Sequence, residues 1–326
     1  MATYKEIFGT NIEVLASDPA NPVTGQVWYN STDNVVKGAA ATTSGAWATG
    51  GNLNTARRGF GGGAGNATAA LAISGSGDPP IYAFVESYNG STWTEIADVN
   101  TGQVGLASTG TQSSAIKFGG ESPPTTALTE SWNGTSWTEV ADLNSGRNAL
   151  GAAGVDNTSA LAIGGGLNQP TDGFTESWNG SSWTEVADLN TGRGLSGAAG
   201  TQTSALYVVG YVDSPPGVSN VESWNGTSWT EVADANSNIG IGAAGADNSS
   251  VIKFNGGNPE TNQTEEWNGS AWTTVASSSQ TGYVVGGNGS TANAIKFGGA
   301  QSNVVKVFTE EWTGAGAPVT YTFTDS

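Results

Sequence analysis

The acid side chains of this chain that most invite a chemical reading come in pairs. Glu130 and Glu139 flank an Asn-Gly turn, and so do Glu176 and Glu185. Two carboxylates on one face are the minimum set for glycoside hydrolysis, and such hard oxygens also suit calcium. The same pairing recurs at Glu86 with Glu95 and at Glu222 with Glu231. A catalytic pair is normally single, so repetition points to a structural task. Two directly opposed glutamates would destabilise a hairpin by a few tenths of a kcal/mol, about the size of a cross-strand pair effect. A bridging cation, a Lys or a shared proton would relieve this. Calcium at these pairs is the one cofactor candidate; otherwise none is expected.

Composition narrows the chemistry further. The 326 residues include no His and no Cys. The usual general base and the commonest metal ligand are absent, as are the thiol nucleophile and any disulfide framework. The expectation is a protein that is not an enzyme. The net charge of −18 repels a phosphate backbone, so nucleic acid is not an expected partner. No apolar run is long enough for a membrane span, and the first residues lack a signal-peptide core. The expected site of synthesis is therefore the cytoplasm, without membrane insertion.

The elements that position these residues follow from a repeat. Tyr88, Trp132, Trp178, Trp224, Trp267 and Trp312 are 43 to 46 residues apart, and every Trp but Trp28 occupies a repeat position. A period of this size marks one supersecondary unit that buries its apolar face only against its neighbours. In the copy from Arg147 to Asn190, the small residues at 147–154 suit a crowded inner strand. Ser159–Gly165 reads as a second strand, Phe174–Trp178 as a third, and the residues from Trp183 as a fourth, with Asn179-Gly180 turning the chain. Period-two alternation places Glu176, Trp178, Trp183 and Glu185 on one face. Asn-Gly-Ser/Thr recurs as a formal glycosylation signal, but the turn explains every copy.

Four short antiparallel strands per unit, repeated around an axis, predict an all-β fold, a six-bladed β-propeller. Trp47 precedes the first full unit at the spacing of a fourth strand, so Ala46–Leu53 is expected to close the last blade. The tail around Val319 competes for that place, and use of both leaves a seven-bladed alternative. The copies from about residue 45 to 312 resemble the kelch repeat. The likeness rests on the doublets Gly119-Gly120, Gly164-Gly165, Gly256-Gly257 and Gly298-Gly299, on the third-strand aromatic, and on the Trp that follows. A basic residue often opens a kelch repeat, and Arg57, Arg147 and Arg193 stand there. The pattern departs at Ser74-Gly75 and Val209-Gly210, and at Gln103, Ile239 and Gly282 in the basic slot.

Residues 1–44 read as a separate N-terminal β module, with a hairpin over Val27–Lys37, ahead of a propeller at 45–326. This module, with the near-identical repeats, resembles tail-fibre and other virion proteins of marine bacteriophages. That resemblance implies a tail fibre or surface decoration, found on the virion and outside cells after host lysis. Its partners would be other virion proteins and copies of itself. The module would attach the chain through Tyr4, Ile7, Phe8, Trp28 and Tyr29.

Binding surfaces tend to sit on loops held by a rigid scaffold. The loops between second and third strands differ most among the copies, and share a face with the connections that carry the arginines. Arg57, Arg58, Arg147, Arg193, Tyr82, Phe84, Asp172, Tyr211 and Asp213 are the candidate ligand-facing residues, for a partner subunit, a host-surface glycan or a host protein. The alternatives are a purely structural virion subunit and, behind it, a polysaccharide-acting enzyme.

Overall fold

The computed structural model describes residues 12–19, 25–41, 44–59, 63–77, 79–166, 173–212, 217–238, 242–256, 260–316 and 318–323. Among them there is no helix. The chain divides into two compact units, Ala46–Thr313 and Met1–Gly45 with Gly314–Ser326.

The larger unit is built from repeated four-stranded antiparallel sheets, consistent with a propeller-like arrangement. Among the described residues they are sheet 1 (residues 64–95), sheet 2 (107–139), sheet 3 (151–185), sheet 4 (197–232), sheet 5 (242–275) and sheet 6. Sheet 6 takes three strands from residues 286–313 and its outer strand from Ala46–Thr49, with Trp47 opposite Trp312.

Burial explains which residues form which strand. The second strand of sheet 3, Ser159–Ile163, is buried from Ala160 onward on both faces, so it is a continuous apolar run. The outer strand Trp183–Glu185 buries only its Trp. The first strand, Gly151–Asp156, is small because its neighbours press on it. A Cβ on Gly197, the matching residue of sheet 4, would lie 2.8 Å from the Cβ of Ala243 in sheet 5. The second strands end in a left-handed residue, Gly119 (φ 63°) and Gly164 (φ 59°) in sheets 2 and 3. Ser74 (φ 58°) and Val209 (φ 55°) hold that conformation without being glycine, so the departures from the doublet keep its geometry.

The apolar core lies between sheets. Phe118 of sheet 2 packs edge-on against Trp183 of sheet 3, with ring centroids 4.8 Å apart. Comparable clusters join sheets 3 and 4, 4 and 5, 5 and 6, and 1 and 2. Another joins sheet 6 to sheet 1 through Ile295, Phe297, Tyr88 and Trp93. At that junction the Tyr88 hydroxyl donates to Glu311, and burial together with this carboxylate pushes Tyr88 up to about 12.

Each outer-strand indole also needs an acceptor. Trp93, Trp183, Trp229 and Trp47 donate from Nε1 to Thr309, Thr129, Thr175 and Thr264 of the adjoining sheet, at 2.9 to 3.2 Å. At the matching position sheets 1 and 4 carry Val85 and Val221. Trp272 turns to the Ala233 carbonyl at 3.2 Å. Trp137 is left with a buried Nε1 that has no partner among the described residues.

The smaller unit is one four-stranded sheet. Val27–Asn30 and Val35–Ala41 form a hairpin, Glu13–Leu15 adds in parallel to the first, and Pro318–Thr322 adds antiparallel to the second. The C-terminal segment, read in the sequence within the propeller and as a rival for its closing strand, pairs here instead. Trp28 is fully buried and donates to Asp18 at 3.1 Å. Asp18 also accepts from Asn30 and Lys37, and the Lys37 bond holds its carboxyl below the usual range.

Candidate functional site

Glu176 lies directly opposite Glu185 across the third and fourth strands, as the spacing predicts. Their surroundings differ: Glu185 is exposed, whereas Glu176 is 2% exposed. Glu176 Oε1 accepts from Arg147 Nη2 at 2.9 Å. Its Oε2 accepts from the backbone N–H and the side-chain amide of Asn144, both at 2.8 Å. Arg147 and Asn144 belong to the connection arriving from sheet 2. The carboxylate therefore ties that connection into sheet 3.

Every sheet of the larger unit repeats this arrangement, with two sources of positive charge. Arg57 meets Glu86 and Arg193 meets Glu222, each at 2.5 Å. In sheets 2, 5 and 6 the cation is a lysine of the second strand: Lys117 with Glu130, Lys253 with Glu265 and Lys296 with Glu310, at 2.6 to 2.8 Å. Each lysine stands opposite its glutamate in register. The arginine sheets have Ala72, Ala162 and Tyr207 there. The lysine sheets are those whose connection carries Gln103, Ile239 or Gly282 in the basic slot.

Of the three means of relieving the paired glutamates, protein cations are the one found at the buried member. Its oxygens are already occupied: Glu130 accepts from Asn100, Thr101 and Lys117. The buried carboxylates are thus taken up by protein donors, and among the described residues no group of three or more acids is gathered as for a metal ion. Desolvation dominates the electrostatics. Burial pushes Lys117 and Lys253 down despite their partners, and Lys296 down to about 8. Burial would raise Glu310, but Lys296 and the Ser279 bonds hold it below the usual range.

Three of the residues expected on the ligand face lie within these pairs. Arg57, Arg147 and Arg193 are at most 3% exposed and serve the interior, because an otherwise unpaired buried carboxylate needs them. Arg58 is half-buried; it donates to the Tyr283 hydroxyl at 2.7 Å and lies 5.8 Å over that ring. Tyr283 in turn donates to Asn303 at 2.8 Å. Tyr82 stacks on Phe84 with centroids 4.9 Å apart, both half-buried, in the loop of sheet 1. Tyr211 is half-buried in sheet 4, bridged through its backbone to Gly194, so the structure does not group it with Tyr82. Asp172 and Asp213 lie outside the described residues, as do Tyr4, Ile7 and Phe8. Trp28 belongs to the core of its own sheet, while Tyr29 is half-buried and donates to Asn34.

A cavity of about 350 Å³ in the larger unit is lined by the first strands of all six sheets and carries no charged side chain. Another, of about 210 Å³, lies in sheet 6. Sequence reasoning passed over Lys117, Lys253 and Lys296. Their signal was the recurrence of Ile-Lys-Phe or its near copy at 116–118, 252–254 and 295–297 wherever the basic slot is empty. Tyr283 and Lys306 carried no repeat signal, whereas Phe308 matches Phe84 and Phe174 of the other copies. No family model matches the chain, and no curated protein is significantly similar to it.

Proposed function

We propose that the larger unit is a six-bladed kelch-like β-propeller acting as a non-catalytic binding module, carried on a bacteriophage virion as a tail fibre or surface decoration. The N-terminal unit would anchor it to the particle, with other virion proteins or copies of the same chain as neighbours. One observation carries this reading: the buried glutamate of every sheet of the larger unit is engaged by an arginine or lysine of the interior, so the repeated charges serve the scaffold. A scaffold held by interior ion pairs and Trp contacts is suited to display the loops that differ from copy to copy. The packing of sheet 6 against sheet 1 supports a closed ring of six blades. The phage setting rests on the sequence resemblance, and the binding role would direct the loop face at a host-surface glycan.

Incubating the fluorescently labelled full chain with host cells tests the role. Saturable adsorption, and competition with intact particles, are expected. No adsorption at micromolar protein would replace the binding role with that of a purely structural subunit.

A further inference from the structure

The 210 Å³ groove of sheet 6 is lined by Thr49, Asn52, Gln280, Lys306, Phe308 and Glu310, among others. Its wall includes the end of the outer strand, Thr49, and the connection that follows it, Asn52. Thr49 stands where sheets 1 to 4 carry Glu95, Glu139, Glu185 and Glu231. Asn52 stands where they carry Asp98, Asp142, Asp188 and Asp234. The corresponding place is therefore acidic in four sheets and free of both acids here, as in sheet 5, which has Thr274 and Ser277.

A cation is present as well. The six buried glutamates engage Arg57, Lys117, Arg147, Arg193, Lys253 and Lys296. Lys306 is half-buried, and its ammonium has no hydrogen-bond or carboxylate partner among the described residues. The one carboxylate in the wall, Glu310, is neutralised by Lys296 at 2.6 Å. Ala300–Gln301 and Val304–Val305 form a short hairpin just before Lys306, and at its turn Glu260 accepts from the Ser302 N–H. On a chain of net charge −18, this is a place where an anion meets an uncommitted ammonium.

We propose that this groove binds a carboxylated sugar, one uronate unit of an acidic polysaccharide. Lys306 takes the carboxylate as a charge-assisted bond. Thr49 and Asn52 offer hydroxyl and amide groups to the ring hydroxyls, and Phe308, one face of which lies 5.4 Å from Lys296, adds an apolar edge. The volume is below the range of about 300–1,000 Å³ for pockets that enclose drug-sized ligands, which suits a single unit of a chain. The assignment names the ligand class for the binding role proposed above and rests on that reading.

The test is calorimetric titration of the full chain with a tri-uronate oligosaccharide, its uncharged methyl ester, and oligo-glutamate. The acid is expected to bind. The ester, and the acid on Lys306→Ala or Thr49→Glu, should bind about tenfold more weakly, the loss of one modest polar contact. Lys306→Arg should keep most of the affinity, and the melting temperature of each variant confirms that it folds. Absent tri-uronate binding, equal affinity for the ester, or unchanged affinity in Lys306→Ala overturns the proposal. Oligo-glutamate binding as tightly as the sugar would make the groove an acidic-peptide site instead. Cell adsorption that survives Lys306→Ala, without uronate binding, removes this site and leaves the binding role standing. Uronate binding without cell adsorption does the reverse.

Discussion

Lys117 Nζ stands 2.7 Å from Glu130 Oε1, directly across a strand pair, while Arg147 reaches Glu176 at 2.9 Å from a separate connection. One buried carboxylate is thus neutralised from two different places in the repeat, and where one source is missing the other is present. Removing one partner of a buried pair leaves an uncompensated charge and costs about 3–5 kcal/mol. That cost explains why no sheet of the larger unit lacks both sources.

The exchange is testable in sheet 3. Arg147→Gln should destabilise the protein by about 3–5 kcal/mol in guanidinium unfolding. Adding Ala162→Lys, at the register position of Lys117, should recover at least half of that loss. A double variant no more stable than Arg147→Gln would show that the two cations are not interchangeable.

A second prediction concerns the orphan indole. Val85→Thr would place a hydroxyl where Thr129, Thr175, Thr264 and Thr309 serve the other sheets, giving Trp137 Nε1 its missing acceptor. A net gain of about 1 kcal/mol is expected, the scale of one buried hydrogen bond. The same substitution in a Trp137→Phe background should be neutral or destabilising, since the hydroxyl would then be buried without a donor. Equal effects in the two backgrounds would refute the assignment.

Much of this was legible in the sequence because β periodicity is rigid. Nine residues from Glu176 to Glu185, across an Asn-Gly turn, place the two glutamates opposite each other in either turn register. What the spacing does not carry is depth. Glu176 and Glu185 share a face, yet one lies over the third strand under a neighbouring connection and the other on the outer edge. The burial of the arginines was hidden for the same reason, since a basic residue in a connection reads as surface until the carboxylate beneath it is seen. The partner of the tail was equally hidden, because Val319–Thr322 has strand character wherever it pairs. The sheet 6 groove is legible only as a departure, Thr and Asn in the place of Glu and Asp, of a kind that sheet 5 shares with Thr and Ser, and only once the repeat is aligned.

The alkaline limb of the stability curve should report Lys296. Its pKa is lowered from 10.5 to about 8 by burial. The unfolded chain therefore binds more protons than the fold between pH 8 and 10.5, and stability from this group rises with pH across that window. Below pH 8 the penalty for holding the ammonium charged is fully present. Relative to the uncharged double variant Lys296→Met with Glu310→Gln, the parent should gain roughly 3 kcal/mol from pH 7.5 to 10.5, because a tenfold change in proton affinity is worth about 1.4 kcal/mol. Unfolding midpoints at pH 7.5, 9 and 10.5 measure it. A constant difference would mean that Lys296 titrates at its ordinary value.

The outer strand of sheet 6 is the last place where a single element decides the integrity of the larger unit. Ala46–Thr49 pairs with Thr309–Thr313, and the ring of Trp47 lies 5.2 Å from Phe254 and 5.4 Å from Trp312. Without this strand, sheet 6 has three strands, and Trp312 and the Thr264 hydroxyl lose their cover. Trp47→Ala should cost about 2–3 kcal/mol, below the cost for a fully buried aromatic because the indole is half-buried. A fragment of residues 46–313 should melt cooperatively. One of residues 51–313 should melt far lower and bind a hydrophobic dye. If both fragments melt alike, the strand is an accessory, and sheets 5 and 1 hold sheet 6 in place unaided.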